Sequence, residues 1–144
     1  MPSLDLWATD LDGELLARAQ TGVFSLSSLK EVREEWRRRY FEPAAPFLLA
    51  IVPSLKSGIQ WKIHDFIADE PPQKDFSLIF LRNNLLTYYQ EEIKKSALGK
   101  ILQGLRPGGF LIIGSHEKLP EEMAGWMPSE LHSSIYQKAS ANET

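Results

Sequence analysis

A chain of 144 residues with 43% hydrophobic content can bury one hydrophobic core, so a second independent domain is not expected. The net charge of -3 is mild and no polybasic tail is present, which argues against a nucleic-acid or membrane-surface partner. The sequence has no cysteine, no apolar segment of bilayer length and no basic-then-apolar leader. We therefore expect a cytoplasmic protein without membrane insertion, and its three separated histidines predict no metal site.

The N-terminal residues predict a strand, an acidic turn and a helix. Residues 4–9 have the composition of a strand, and residues 13–20 carry apolar side chains at helical spacing before a stop at Gly22. Asp12 is best explained as the N-cap of this helix. Asp10, at the strand exit, is placed to accept hydrogen bonds from a ribose, although Asp-x-Asp-Gly alone is a weak signal.

The next segment predicts a second helix and then a β-hairpin. Serines at 25–28 are candidate N-caps for a helix over residues 29–40, whose many charges are typical of a solvated, ion-paired face. Two β-rich runs, 47–52 and 59–64, are joined by a short connection containing Pro53 and Gly58, which favours a hairpin.

An apolar run at residues 77–81 predicts a strand buried on both faces of a parallel sheet. Arg82 and Asn83 follow it, at the end of the strand where open α/β sheets bind ligands. The alternative is that Arg82 neutralises a nearby carboxylate and Asn83 caps a turn. Asp65-Phe66 raises the same question, because the carboxylate fits either an adenine amino group or an ordinary turn.

The C-terminal third continues the alternation of helices and strands. Thr87 and Gln90 have the spacing of a capping box, before an apolar stripe that predicts a helix ending near Pro107. Residues 110–114 predict another buried strand, and a last strand is expected around 134–137. The whole pattern predicts an α/β fold, a three-layer sandwich around a mostly parallel sheet.

Five runs together carry more information than any single motif: WATDLD at 7–12, GVFSLSSL at 22–29, RRYF at 38–41, FLRNNLLTYY at 80–89 and LRPGGFLIIG at 105–114. These runs occur in this order in the CheR-type S-adenosylmethionine-dependent protein methyltransferases. The chain resembles that family along nearly its whole length, which implies a Rossmann-like methyltransferase fold and S-adenosyl-L-methionine as cofactor.

The resemblance also implies roles for single residues. Asp10 matches the ribose-binding acid, Asp65 and Phe66 the adenine-side contacts, and Arg82-Asn83 a cofactor-contacting pair. Tyr88 matches the tyrosine placed near the transferred methyl, which makes it the candidate catalytic residue. The 47–64 hairpin would correspond to the small β-subdomain that docks a chemoreceptor tail in family members of chemotaxis systems.

The sequence departs from the family pattern in two places. Family members often have Gly-His-Ser-Glu after the late strand, whereas this chain has Gly114-Ser115-His116-Glu117, so His116 is given no role. The family's first strand and its Gly-rich cofactor loop have no counterpart before Asp10. The resemblance thus implies one partial methyltransferase domain over residues 1–144 with unpaired inner strand edges, which favour a homodimer.

Two functions follow from these observations. In the first, the chain is a fragment or split half, inactive alone, of a methyltransferase that esterifies glutamate side chains of a protein such as a chemoreceptor. In the second, it is a non-catalytic remnant that binds proteins or associates with itself.

Overall fold

The structure is a computed structural model that describes residues 3–83, 85–121 and 123–140. Asn84, part of the 80–89 run, lies outside the described residues. The chain divides between Asp65 and Phe66 into two compact units. The expectation of a single partial domain stays a prediction.

The first unit contains a parallel strand pair and a small antiparallel sheet. Its elements, in chain order, are β1 (Leu6–Asp10), α1 (Gly13–Thr21), β2 (Val23–Ser25), a 3-10 turn (Leu26–Leu29), α2 (Glu34–Tyr40), β3 (Phe41–Ala45), β4 (Leu48–Ile51), α3 (Pro53–Lys56) and β5 (Ile59–Ile63). Strands β1 and β5 pair in parallel, and the antiparallel sheet has the order β2-β4-β3.

Helix α1 has both of the ends that the sequence predicts. The Asp12 carboxylate accepts hydrogen bonds from the backbone N–H groups of Glu14 and Leu15, at 2.8 and 3.2 Å. Gly22 is the C-cap in the left-handed conformation, with φ of 66°, and its N–H donates to the Ala19 carbonyl. The N-cap interpretation of Asp12 is therefore confirmed.

The predicted helix over residues 29–40 is wrong in its first half. Ser25 Oγ accepts a hydrogen bond from the Ser28 N–H, and residues Leu26–Leu29 form a 3-10 turn instead. Side chains of serine that bond to nearby backbone compete with α-helix in this way. Only the C-terminal half, α2, is α-helical.

The predicted hairpin over residues 47–64 is also wrong. Strand β4 pairs with β2 and β3, whereas β5 pairs with β1. Pro53 begins the short helix α3 inside the connection, because a proline at the first helical position loses no hydrogen bond there. Strand composition predicted both strands, but it carries no information about their partners.

The second unit contains a four-stranded mixed sheet and one long helix. Its elements are β6 (Phe76–Leu81), α4 (Leu85–Tyr88), α5 (Glu91–Gly104), β7 (Leu105–Ile113), β8 (Trp126–Pro128) and β9 (Ile135–Lys138). The strand order is β6-β7-β9-β8, with β6 parallel to β7 and the other pairs antiparallel. Helix α5 packs Ala97, Leu98 and Ile101 into the core of this unit.

Strand β6 is not buried on both faces, contrary to the prediction. Ile79 and Leu81 pack on the core, but the side chains of Leu78 and Phe80 are 43% and 65% exposed. In the part of the chain that the structure describes, β6 is the edge strand of its sheet and pairs with β7 alone. An apolar run thus predicted the strand correctly and its burial incorrectly.

The α/β class is confirmed, with mixed rather than mostly parallel sheets, since four of the six strand pairs in the described residues are antiparallel. The parallel pairs β1–β5 and β6–β7 are each joined through helix-containing connections, as the alternation of helices and strands predicts. In each unit, polar residues singled out in the sequence lie at the carboxyl ends of the parallel pair: Asp10 and Asp65 in the first unit, Arg82 and Asn83 in the second.

Candidate functional site

Two carboxylates lie at the carboxyl end of the β1–β5 pair. Asp10 is the last residue of β1, opposite Ile63 of β5, and Asp65 follows two residues later. Both side chains are half-buried. Asp10 Oδ1 accepts a hydrogen bond from the Asp12 N–H at 2.9 Å, which orients the carboxylate and leaves its second oxygen with acceptor capacity.

Phe66 opens the second unit and is half-buried. Its ring contacts the Tyr89 ring edge to face, with centroids 6.3 Å apart and an interplanar angle of 76°. Both rings pack against the core cluster that contains Leu98. The core of the second unit therefore fixes the position of the Phe66 ring.

Arg82 and Asn83 leave the carboxyl end of β6 with exposed side chains. Asn83 has a φ of 55°, the left-handed conformation that asparagine tolerates better than most residues. Its backbone N–H donates to Glu117 Oε2 at 3.1 Å. The chain therefore turns sharply directly after the strand.

Tyr88 is the last residue of α4, and its side chain is 77% exposed. Leu85 and Leu86 of the same helical turn are buried, at 0% and 7% exposure. These two leucines anchor the turn in the core, so Tyr88 is presented to solvent from a fixed backbone. The predicted capping box at Thr87 and Gln90 is wrong, because the Thr87 hydroxyl donates to Glu117 Oε1 and Gln90 caps α5 without a side-chain bond.

An open cleft of about 950 Å³ lies beside the end of β6. Asn83, Thr87 and Glu117 line it, together with basic side chains of α5 and of the segment after β7: Lys94, Lys95, His116 and Lys118. His116 is exposed there.

Sequence reasoning missed Glu117, which bonds to Asn83, Thr87 and Gly114. A signal for it existed, since an acidic residue three positions after Gly114, at a strand end, is placed to bond the backbone of that edge.

Of the predicted site residues, Asp10 and Asp65 come together at one strand edge, and Arg82 and Asn83 at another. Among the residues described, no three His, Asp or Glu side chains are grouped to hold a metal ion. Within the same residues, none of the helices combines the length and the apolar character that crossing a membrane requires.

The family model and the similar proteins indicate the same family. The family model described as "CheR methyltransferase, SAM binding domain" matches residues 1–134. The chain is 33% identical to chemotaxis protein methyltransferase Cher2 of Pseudomonas putida over 113 residues, 78% of this chain and 41% of that protein. It is 35% identical to a chemotaxis protein methyltransferase of Listeria innocua over 115 residues, 80% of this chain and 43% of that protein.

The chain thus spans about two fifths of the length of the curated relatives it matches. Among solved structures it is similar to a TehB-like SAM-dependent methyltransferase from Corynebacterium glutamicum, with a TM-score of 0.50 at 19% identity. That likeness covers 93% of this chain and 66% of the other, and it supports a Rossmann-like α/β fold.

Proposed function

Because the chain belongs to the CheR family of S-adenosylmethionine-binding methyltransferases, we propose that it supplies part of the cofactor site of an enzyme that esterifies glutamate side chains of a protein. The family match over residues 1–134 carries this proposal. Since the chain covers 41% of its Pseudomonas relative, we propose that it is one part of such an enzyme and is inactive alone.

The acidic groups of the first unit fit the ribose and adenine of the cofactor. Asp10 is held by the Asp12 N–H at the end of β1, and its second oxygen accepts from ribose hydroxyls. Asp65 accepts from the adenine amino group, and Phe66 contacts the ring. This donor and acceptor set matches a neutral nucleoside, since it combines carboxylate acceptors with an apolar surface.

By the family likeness, the groups of the second unit correspond to contacts at the reacting end of the cofactor. Arg82 and Asn83 contact the cofactor from the end of β6, and Tyr88 stands on the anchored turn of α4. When bound, the cofactor supplies an electrophilic methyl group on a sulfonium sulfur. Tyr88 orients the attacking glutamate oxygen by hydrogen bonding from a fixed backbone.

No strong general base is needed for this reaction. A glutamate side chain has a reference pKa of about 4.3, so the attacking carboxylate is ionised at neutral pH. The work of the protein is to align the carboxylate with the methyl group and to exclude water from both. This explains why the candidate residues include a tyrosine and an amide and no histidine.

The partner we propose is a protein substrate of the chemoreceptor class. The docking element would be the antiparallel sheet β2-β4-β3, in place of the 47–64 hairpin that the structure does not contain. An extended peptide can add to such a sheet through main-chain hydrogen bonds.

A second candidate function is self-association without catalysis. One observation favours it: the edge strand β6 exposes Leu78 and Phe80, at 43% and 65%. An edge with unpaired backbone groups and apolar side chains favours pairing with another strand. On this hypothesis a second copy of the chain covers β6, and the chain neither binds the cofactor nor transfers a methyl group.

Titration of the ¹⁵N-labelled chain with S-adenosylhomocysteine, followed by NMR, separates the two functions. The enzyme proposal predicts saturable shifts of amides near Asp10, Asp65 and Asn83, weakened at least about tenfold by Asp10→Ala. Asp5→Ala is the matched control, because Asp5 is an exposed carboxylate just before the other end of β1. A folded chain whose spectrum does not change at millimolar ligand would contradict cofactor binding by this chain alone, and would leave a fragment that needs the rest of the enzyme or a self-associating module.

A further inference from the structure

The carboxylate of Glu117 joins three segments of the second unit. Oε2 accepts hydrogen bonds from the backbone N–H of Gly114 at 2.7 Å and from that of Asn83 at 3.1 Å. Oε1 accepts from the Thr87 hydroxyl at 2.7 Å. One half-buried side chain therefore ties the end of β7 to the turn after β6 and to α4.

The local backbone is shaped to admit this carboxylate. A Cβ atom added to Gly114 would lie 2.6 Å from Glu117 Oε2 and 2.8 Å from Asn83 Oδ1, closer than such contacts occur. A side chain at position 114 would thus displace the carboxylate from the Gly114 N–H. The absence of a side chain at Gly114 therefore allows the carboxylate to reach this N–H, and the reason is space rather than backbone conformation, because φ of Gly114 is not positive.

The hydrogen bond from the Asn83 N–H to Glu117 stabilises a residue in an unfavourable backbone conformation. Asn83 has a φ of 55°, a conformation sparsely populated by residues with a Cβ atom. A bond from its N–H to a carboxylate is stronger than one to a neutral acceptor. The charge of Glu117 therefore favours the turned backbone of Asn83 over an extended continuation of β6.

We infer that Glu117 is a positioning residue, which holds the Asn83 backbone and Thr87 so that the end of β6 and the turn carrying Tyr88 keep a fixed geometry. This inference rests on the proposed function for its link to the cofactor. Glu117 acts through Asn83 and Thr87 rather than through contact with the cofactor.

The first test does not depend on the cofactor. Glu117→Ala is expected to raise the hydrogen-exchange rates of the Asn83 and Gly114 amides at least about tenfold, with the amide of Leu111, a fully buried residue of β7, unchanged. Glu117→Gln keeps an acceptor oxygen without the charge. Its exchange rates at Asn83 and Gly114 should therefore lie between those of the wild type and those of Glu117→Ala. Glu121→Ala, four residues further along the same segment, is the control and should leave both rates unchanged.

The second test uses S-adenosylhomocysteine with the same variants. Glu117→Ala should weaken binding about tenfold, and Glu117→Gln should recover part of the loss. Faster exchange of the Asn83 and Gly114 amides with unchanged affinity for S-adenosylhomocysteine would show a purely structural role. That result would overturn the positioning role. Unchanged exchange at Asn83 and Gly114 in Glu117→Ala would overturn the inference entirely.

A failure of the proposed function would give a different result from a failure of the inference about Glu117. If the wild-type chain binds no S-adenosylhomocysteine, the link of Glu117 to the cofactor falls with the proposed function. The exchange rates of Asn83 and Gly114 still decide whether Glu117 holds the turn after β6.

Discussion

Single residues at the two ends of α1 explain why this helix forms where it does. Asp12 satisfies N–H groups at the start of the helix, and Gly22 adopts the left-handed conformation at its end. Asp10, two residues before the cap, ends β1, and its carboxylate accepts a hydrogen bond from the Asp12 N–H. Two neighbouring aspartates therefore have different tasks, one in capping and one in the candidate site.

Replacing Gly22 with alanine should destabilise the first unit by about 2 kcal/mol or more. The left-handed conformation is unfavourable for alanine, and the added Cβ would lie 2.6 Å from Ile51 Cγ2 and 2.8 Å from Lys56 Cδ. Urea unfolding followed by circular dichroism measures the loss.

Gly99→Ala is the matched control for this substitution. Gly99 lies inside α5, and a Cβ there would meet no atom within 4 Å. Alanine should stabilise that helix by about 0.5–1 kcal/mol. Equal effects of the two substitutions would contradict the conformational explanation.

At the scale of elements, two lysines distant in sequence stabilise helix C-termini. Lys56 Nζ donates to the Gln20 and Thr21 carbonyls at the end of α1, at 3.2 and 3.0 Å. Lys138 Nζ donates to the Leu102 and Leu105 carbonyls at the end of α5, at 2.7 and 2.6 Å. In both places a cation donates to carbonyls at or next to a helix C-terminus, where a positive charge is favoured.

Lys138→Met should therefore destabilise the second unit by about 2 kcal/mol, because two part-buried carbonyls lose a charged donor. Lys95→Met is the control, since Lys95 is an exposed lysine on the same helix. Thermal unfolding at 222 nm compares the two variants. Equal melting temperatures would mean that water replaces the Lys138 ammonium without cost.

Elements that depend on local signals were predictable, and those that depend on distant partners were not. The caps of α1 could be predicted because they lie within a few residues of the helix they end. The partner of β5 could not, because strand composition is the same in a hairpin and in a parallel pair. Thr87 has the spacing of a capping box, yet its hydroxyl bonds Glu117, 30 residues away.

The residues of the candidate site also differ in how far the sequence predicts them. The positions of Asp10, Arg82 and Asn83 at strand ends could be predicted, because each lies at or just after a run with the composition of a strand. That they bind a ligand stays a prediction. The sequence signal for Glu117 is its place three residues after Gly114, whereas its bonds to the turn after β6 and to α4 are recognisable only from the structure. Its sequence neighbours say little about either.

For the molecule as a whole, the buried core is unevenly distributed. Of the eleven buried hydrophobic residues in the described part of the chain, two, Leu16 and Leu29, lie in the first unit. The second unit has a contiguous cluster, but its edge strand β6 exposes Leu78 and Phe80. A chain with this edge uncovered has a physical reason to associate.

On the self-association hypothesis the chain should be a dimer at micromolar concentration, measured by size-exclusion chromatography with light scattering. The double substitution Leu78→Lys and Phe80→Lys should give a monomer, since charges on an edge strand oppose strand pairing. Phe47→Lys is the matched control, because Phe47 is 80% exposed in the first unit, away from β6 in sequence. A wild-type monomer at 100 micromolar, or roughly that concentration, would exclude an edge-paired dimer of useful affinity. A dimer that survives the double substitution would place the interface elsewhere, because two lysines cannot be buried between apolar strands without a large cost in free energy.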